Sequence, residues 1–185
     1  LFKEEGQEIS FTAPVEWLSQ LESDPVGVKS RRIHWLQRAI VLEKANKWEA
    51  LLDWSRQWAE SLPADVTAWH TLGYACIVLK KLDQALAAFL HTVQIDPGDI
   101  DGWSNLGYVN TDLQRYPDAI RAYQEVVRIS PSDVEGWSNL VLSYESAGNR
   151  AEAIKAVEEV NRLDAVKAQE LRSNLEHGGL GELDD

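Results

Sequence analysis

The stretch Trp103–Pro131, WSNLGYVNTDLQRYPDAIRAYQEVVRISP, decides how the rest of the chain is read. Its marks are Trp103, Leu106, Gly107, Ala119, Tyr123 and Pro131. The same marks stand 34 residues earlier as Trp69, Leu72, Gly73, Cys76, Ala85, Phe89 and Pro97. They stand 34 residues later as Trp137, Leu140, Val141, Tyr144, Ala153, Val157 and Ala165. Trp35 and Pro63 carry the period one step further toward the N-terminus. Two residue types that keep one period mark a repeat architecture.

The spacing within a unit is helical. At 100° per residue, Trp69, Leu72, Gly73 and Cys76 fall on one face, which must pack against a partner helix. Gly73 and Gly107 lack a Cβ, so paired helices can approach closely. Ala85, Ala119 and Ala153 serve the same end from the other helix. A mid-helix glycine costs about 1 kcal/mol of propensity, which the packing must offset. Val141 replaces this glycine in the third unit, which predicts a slightly wider local fit. Pro97 and Pro131 stop helices between units. The pattern predicts helices over 66–79 and 83–95, 100–113 and 117–129, 134–147 and 151–163. Asp83 and Asp99 are placed as helix caps, and Gly148–Asn149 as a helix end and turn.

The pattern resembles that of the tetratricopeptide repeat family: a Trp, a Leu-Gly pair, a Tyr, then Ala, Phe and Pro over 34 residues. The likeness is strong from Val66 to Lys167. It implies an all-α, right-handed superhelical solenoid of antiparallel helix pairs, with repeats at 66–99, 100–133 and 134–167. Residues 31–65 read as a degenerate hairpin: Trp35 and Pro63 hold register, and Ala39 and Leu42 fill the Gly and Tyr slots. Leu51 stands where a small Ala is expected and Ser55 where an aromatic is, with Trp48, Trp54 and Trp58 adding bulk. Val166, Ala168, Leu171 and Leu175 make an amphipathic capping helix over 166–177, its outer face wet with Lys167, Gln169, Glu170 and Arg172. Gly178–Gly179 ends it, and the acidic tail 178–185 is expected to be disordered.

Residues 1–30 do not fit the period. Ile9, Phe11 and Ala13 alternate with polar residues, as in a short half-buried strand. Pro14 opens a short helix with Val15, Leu18 and Leu21, and Asp24–Pro25 through Gly27 reads as a linker. Residues 5–18, from Glu5–Gly6–Gln7–Glu8–Ile9 through Phe11, Pro14 and Val15 to Leu18, are similar to the C-terminal end of a trypsin-like protease domain of the HtrA type. That likeness is short. It implies a catalytic domain upstream of Leu1 and an extracytoplasmic bacterial location; without it a cytoplasmic location is expected. The chain contains no Met, and Leu1 reads as a cut within a longer product.

Composition bounds the chemistry. Hydrophobic residues make up 44% and charged residues 26%, a globular balance. The net charge of -12 repels phosphate backbones, so no nucleic-acid partner is expected. The one tight basic run, Lys29–Ser30–Arg31–Arg32, reads as a solvated helix start. No apolar run approaches about 18 residues, so no membrane span is expected. Cys76 is the one cysteine and fills a buried slot, so an inert thiol is expected; His70, six residues before it, points about 120° away. His34, His70, His91 and His177 are too far apart to pair as metal ligands. There is no phosphate loop. No enzyme activity, metal or cofactor is expected of these residues.

The family resemblance implies that the first helix of each pair lines a concave groove for a protein or peptide. By angle from the Trp, the groove carries Thr67, His70, Tyr74, Ile77 and Val78 from the first unit. It takes Asp101, Ser104, Asn105, Tyr108, Thr111 and Asp112 from the second, and Glu135, Ser138, Asn139, Leu142 and Glu145 from the third. Tyr74 with Tyr108, Ser104 with Ser138 and Asn105 with Asn139 recur, suiting an extended backbone. Asn105 and Asn139 resemble part of the family's carboxylate clamp, but its basic residues are missing. Asp101, Asp112, Glu135 and Glu145 favour a neutral or basic segment instead. The expected function is a non-catalytic scaffold. The alternatives are the C-terminal regulatory part of a trypsin-like protease and a self-association module using exposed tryptophans such as Trp48 or Trp54.

Overall fold

The computed structural model describes residues 2–4, 7–9 and 27–178. The chain divides into two compact units, Leu1–Lys47 and Trp48–Asp185. The division falls inside the hairpin expected at 31–65.

In the first unit, strand β1 (Phe2–Glu4) pairs antiparallel with β2 (Gln7–Ile9), Phe2 opposite Ile9. Of the strand expected through Ile9, Phe11 and Ala13, only Ile9 lies in β2. Phe11, Ala13 and the short helix expected at Val15, Leu18 and Leu21 lie outside the described residues. So does most of the protease-like stretch. Helix α1 (Val28–Lys44) starts at Gly27, whose φ of 67° costs a glycine little. Arg31 and Arg32 are exposed near its start, as expected of a solvated basic run, and Arg31 returns a side-chain hydrogen bond to the Gly27 carbonyl (3.2 Å).

The second unit is a stack of helices: α2 (Trp48–Ser61), α3 (Val66–Val78), α4 (Leu82–Ile95), α5 (Ile100–Asp112), α6 (Tyr116–Ile129), α7 (Val134–Ser146), α8 (Arg150–Leu163) and α9 (Ala165–Gly178). Each packs on the next in sequence. The fold is all-α, a solenoid of helix pairs.

Capping is itself periodic. Asp65, Asp99 and Asp133 each cap a first helix by accepting a backbone N–H two or three residues on. Asp164 caps α9 in the same way. Asp83 corrects the expectation: it lies within the first turn of α4, where it favours the helix dipole, and caps nothing. The second helices follow a left-handed residue instead. Lys80 (φ 57°), Gln114 (φ 57°) and Gly148 (φ 74°) hold this place at the 34-residue step, and Asn46 (φ 54°) holds it in the first unit. Lys81, Arg115 and Asn149 then donate N–H to the carbonyls of Cys76, Asn110 and Tyr144, a 6→1 closure that ends each first helix.

The Trp and Pro periods turn out to be one interaction. The indole N–H groups of Trp69, Trp103 and Trp137 donate to the carbonyls of Pro63, Pro97 and Pro131 at 2.9–3.0 Å. Each Trp thus pins the turn that precedes its own helix.

Gly73 and Gly107 have a specific occupant above them. A Cβ on Gly73 would lie 2.5 Å from the Phe89 ring, and one on Gly107 would lie 2.5 Å from the Tyr123 ring. In the third unit Val141 faces a shrunken partner slot, Val157, and both are buried in one cluster. Volume is exchanged between the paired slots: glycine with an aromatic in two units, valine with valine in the third.

The atypical helix α2 solves its slots differently. Ser55 is fully buried and its hydroxyl donates to the Leu52 carbonyl (3.0 Å). Trp58, one turn on, is fully buried with its indole N–H on Asp65 (3.2 Å). At the other end, Ala168, Leu171 and Leu175 of α9 join the cluster of Val157 and Val160, while Gln169, Glu170 and Arg172 are exposed. The tail beyond Gly178 lies outside the described residues.

Candidate functional site

The candidate site is the open face of α3, α5 and α7. Tyr74 (46% exposed), Tyr108 (41%) and Leu142 (42%) stand one per helix at the 34-residue step, with Val78 also exposed. Their exposure follows from geometry. Leu72 and Gly73 precede Tyr74 on the helix and turn toward α4; the next residue, 100° further round, leaves the packed face. The Trp48 ring meets Tyr74 edge-on at 5.8 Å, which fixes one wall of this face. Trp48 and Trp54 are half-buried, so neither is the exposed tryptophan that a self-association surface was expected to use.

The predicted site residues divide by whether their polar atoms are already engaged. His70 donates its Nε2–H to the Asp99 carboxylate across 2.7 Å and lies edge-on to Phe89. It ties the first repeat to the cap of the next. Ser138 is 6% exposed and its hydroxyl donates to the Val134 carbonyl (2.7 Å). It is a buried helix residue and corrects the groove assignment, because the angle from the Trp does not distinguish the rim of the packed face from its inside. Thr111 donates to the Gly107 carbonyl. Ser104, Asn105, Asn139 and Glu145 are half-buried, and Asp101 and Glu135 are exposed. Asp112 lies 3.9 Å from the Lys80 ammonium.

The charge on this face has one sign. Helices α3, α5 and α7 carry Asp101, Asp112, Glu135 and Glu145 and no Lys or Arg. Bases sit on the second helices, where Arg121 with Asp118, Arg128 with Glu125 and Arg162 with Glu159 form exposed pairs one turn apart. Cross-repeat pairs also recur at the period: Lys81 with Glu49 (3.0 Å) and Arg115 with Asp83 (3.4 Å). Exposed pairs of this kind add little stability.

Sequence reasoning missed a feature of the opposite face. A cleft of about 270 Å³ is lined by Leu86, Leu90, Trp103, Leu106, Asn110, Asp118, Arg121 and Ala122. A second, of about 350 Å³, is lined by Arg56, Trp69, Leu72, Gln84, Ala87, Ala88 and His91. The two are the same cleft one period apart. His91 stacks on Trp69 at 4.2 Å and partly roofs the second. Reading the columns of the second helices as closely as those of the first would have found them.

Two buried titratable groups are chemically quiet. Burial pushes the Cys76 thiol up, only partly offset by Arg56 and Lys81. Burial likewise pushes the Tyr123 phenol up to about 12, against a lowering hydrogen bond from Thr111. Among the described residues no group of His, Cys, Asp or Glu could hold a metal ion, and no helix is long and apolar enough to cross a membrane.

Stacked helix hairpins with an open first-helix face define a helical repeat scaffold. Two family models described as tetratricopeptide repeat match residues 66–99 and 105–166. The chain belongs to the tetratricopeptide repeat family. No curated protein matches it by sequence. Among solved structures it is similar to MamA 41-end from Desulfovibrio magneticus RS-1, with 16% identity, a TM-score of 0.66, and coverage of 81% of this chain and 96% of that one. It is also similar to a crystal structure of MamA with 20% identity, a TM-score of 0.68, and coverage of 83% and 87%. A third is YrrB, described as a tetratricopeptide repeat protein with an unusual peptide-binding site. There the identity is 17%, the TM-score 0.68, and the coverage 90% and 85%. At these identities the likeness is one of fold.

Proposed function

We propose that the second unit is a non-catalytic scaffold that holds a neutral or basic polypeptide segment on the face of α3, α5 and α7. The observation that carries this reading is the exposed column Tyr74, Tyr108 and Leu142, set among carboxylates on helices without a base. Exposed rings offer contact area at low entropic cost. Surrounding acids select against an acidic segment and speed the approach of a basic one. The half-buried amides of Asn105 and Asn139 stand beside the column and can bond an extended backbone. His70 and Ser138 serve the scaffold rather than the ligand. The peptide-binding site named for YrrB makes such a use of this fold reasonable.

Anisotropy with a fluorescein-labelled peptide of alternating lysine and leucine tests the reading. The Tyr74→Ala/Tyr108→Ala variant should bind it roughly tenfold or more weakly, the range of lost aromatic anchors. Its melting temperature should stay within a few degrees of the parent, because both rings are half exposed. Equal affinity in the double variant would sink the proposal.

A further inference from the structure

We infer that the polypeptide held on the face of α3, α5 and α7 is read in order, an apolar stretch lying at the α3 end and a basic stretch over α5 and α7. This layout of the occupant rests on the reading of that face as a polypeptide-binding surface.

The ground is where charge stands along the stack. On each first helix, the residues seven before, three after and four after the exposed column lie within about 60° of it, at 3.6 residues per turn. On α3 these are Thr67, Ile77 and Val78, beside Tyr74, and none is charged. One period on, α5 places Asp101, Thr111 and Asp112 beside Tyr108, and α7 places Glu135, Glu145 and Ser146 beside Leu142. Equivalent places thus pass from neutral to acidic between the first of these helices and the next two. The acids that carry the difference are open to a ligand. Asp101 and Glu135 are exposed and Glu145 is half-buried, and none of them joins an ion pair among the described residues. Asp112 counts for less, because the Lys80 ammonium stands 3.9 Å from it. The α3 end is apolar as well as uncharged. Tyr74 and Val78 are exposed there, the Trp48 ring meets Tyr74 edge-on, and the His70 imidazole is tied to Asp99. Apolar surface gains from being covered by an apolar stretch, whereas unpaired carboxylates favour a cation above them. A segment that alternates bases with apolar residues sets some bases against Tyr74 and Val78 and some apolar side chains against the acids. A segment that keeps them in separate blocks avoids both mismatches.

Anisotropy with the full chain and fluorescein-labelled peptides of equal composition tests this. One peptide groups its leucines at one end and its lysines at the other, a second reverses that order, and a third is the alternating lysine–leucine peptide. At least one block peptide should bind roughly fivefold or more tightly than the alternating one, the range of a few exposed charge pairs. Asp101→Asn/Glu135→Gln/Glu145→Gln should remove that margin and flatten its dependence on salt. Tyr74→Ala/Val78→Ala should weaken binding and leave the salt dependence in place. A general loss of fold would move both readouts alike in both variants. A nitroxide at the lysine end of the tighter block peptide should broaden the amide signals of α7 more than those of α3. An alternating peptide that binds as tightly as both block peptides overturns the inference. So does an all-lysine peptide that binds as well as they do, or a nitroxide that broadens α3 as much as α7. If the Tyr74→Ala/Tyr108→Ala variant still weakens the alternating peptide in that case, the groove reading stands and only the ordered occupant is lost. Failure of every peptide to bind removes both.

Discussion

At the scale of single residues, the repeat is a set of volume exchanges. Gly73 exists because the Phe89 ring fills the place of its Cβ, and Gly107 because the Tyr123 ring does. Val141 is tolerated because Val157 is smaller. The exchange is testable by a double-mutant cycle. Gly73→Val should overpack against the ring and destabilise by about 1–3 kcal/mol. Phe89→Val should leave a cavity and cost about 2–4 kcal/mol. The double variant rebuilds the third unit's solution in the first. Urea melts should show it less destabilised than the two losses combined, by roughly 1 kcal/mol or more. Strict additivity would mean that the two residues do not share one space. The Gly and aromatic marks were legible in the sequence; their mutual contact was not, because sixteen residues and a turn separate them.

At the scale of the element, the helix ends carry the period as firmly as the core does. The left-handed residue before each second helix is Lys80, Gln114 or Gly148 within the stack. A side chain in that conformation costs roughly 1 kcal/mol against glycine. Lys80→Gly and Gln114→Gly should therefore each stabilise the protein by about 0.5–1 kcal/mol, less the greater entropy of the unfolded glycine. Thermal melts check this, and a fall in melting temperature in Gln114→Gly would contradict it. The Lys80 variant also removes the ammonium near Asp112, so Gln114 is the cleaner test. The sequence revealed only Gly148 as a turn, because lysine and glutamine give no signal of a positive φ. Likewise Asp99 was legible as a cap, whereas Asp83 stands two residues past the cap position, since an acid in the first turn and an acid at the cap look alike in a string.

At the scale of the whole molecule, each unit of the stack buries one face on the next, so the last must be covered. Helix α9 does this through Ala168, Leu171 and Leu175. Leu171→Ala with Leu175→Ala should expose Val157 and Val160 to water. Each truncation of a buried leucine costs about 2–5 kcal/mol. In a linear array that loss falls first on the terminal repeat. Hydrogen exchange should therefore show α8 losing protection well before α4. Uniform loss along the stack would show that the array unfolds as one unit.

The all-α class, the 34-residue period and the helix limits within the stack could be read from the chain alone, because hydrophobic spacing and prolines act locally. The open column of Tyr74, Tyr108 and Leu142 was also foreseeable, since a helix face follows from angle. What needed the tertiary structure was every statement that joins distant residues: the Trp indole on the Pro carbonyl, His70 on Asp99, Ser138 turned inward, and the clefts on the second helices. Periodicity says which residues occupy equivalent places. Only packing decides whether an equivalent place is open to a ligand or already filled, because that depends on the volumes and hydrogen bonds that neighbouring helices bring to it.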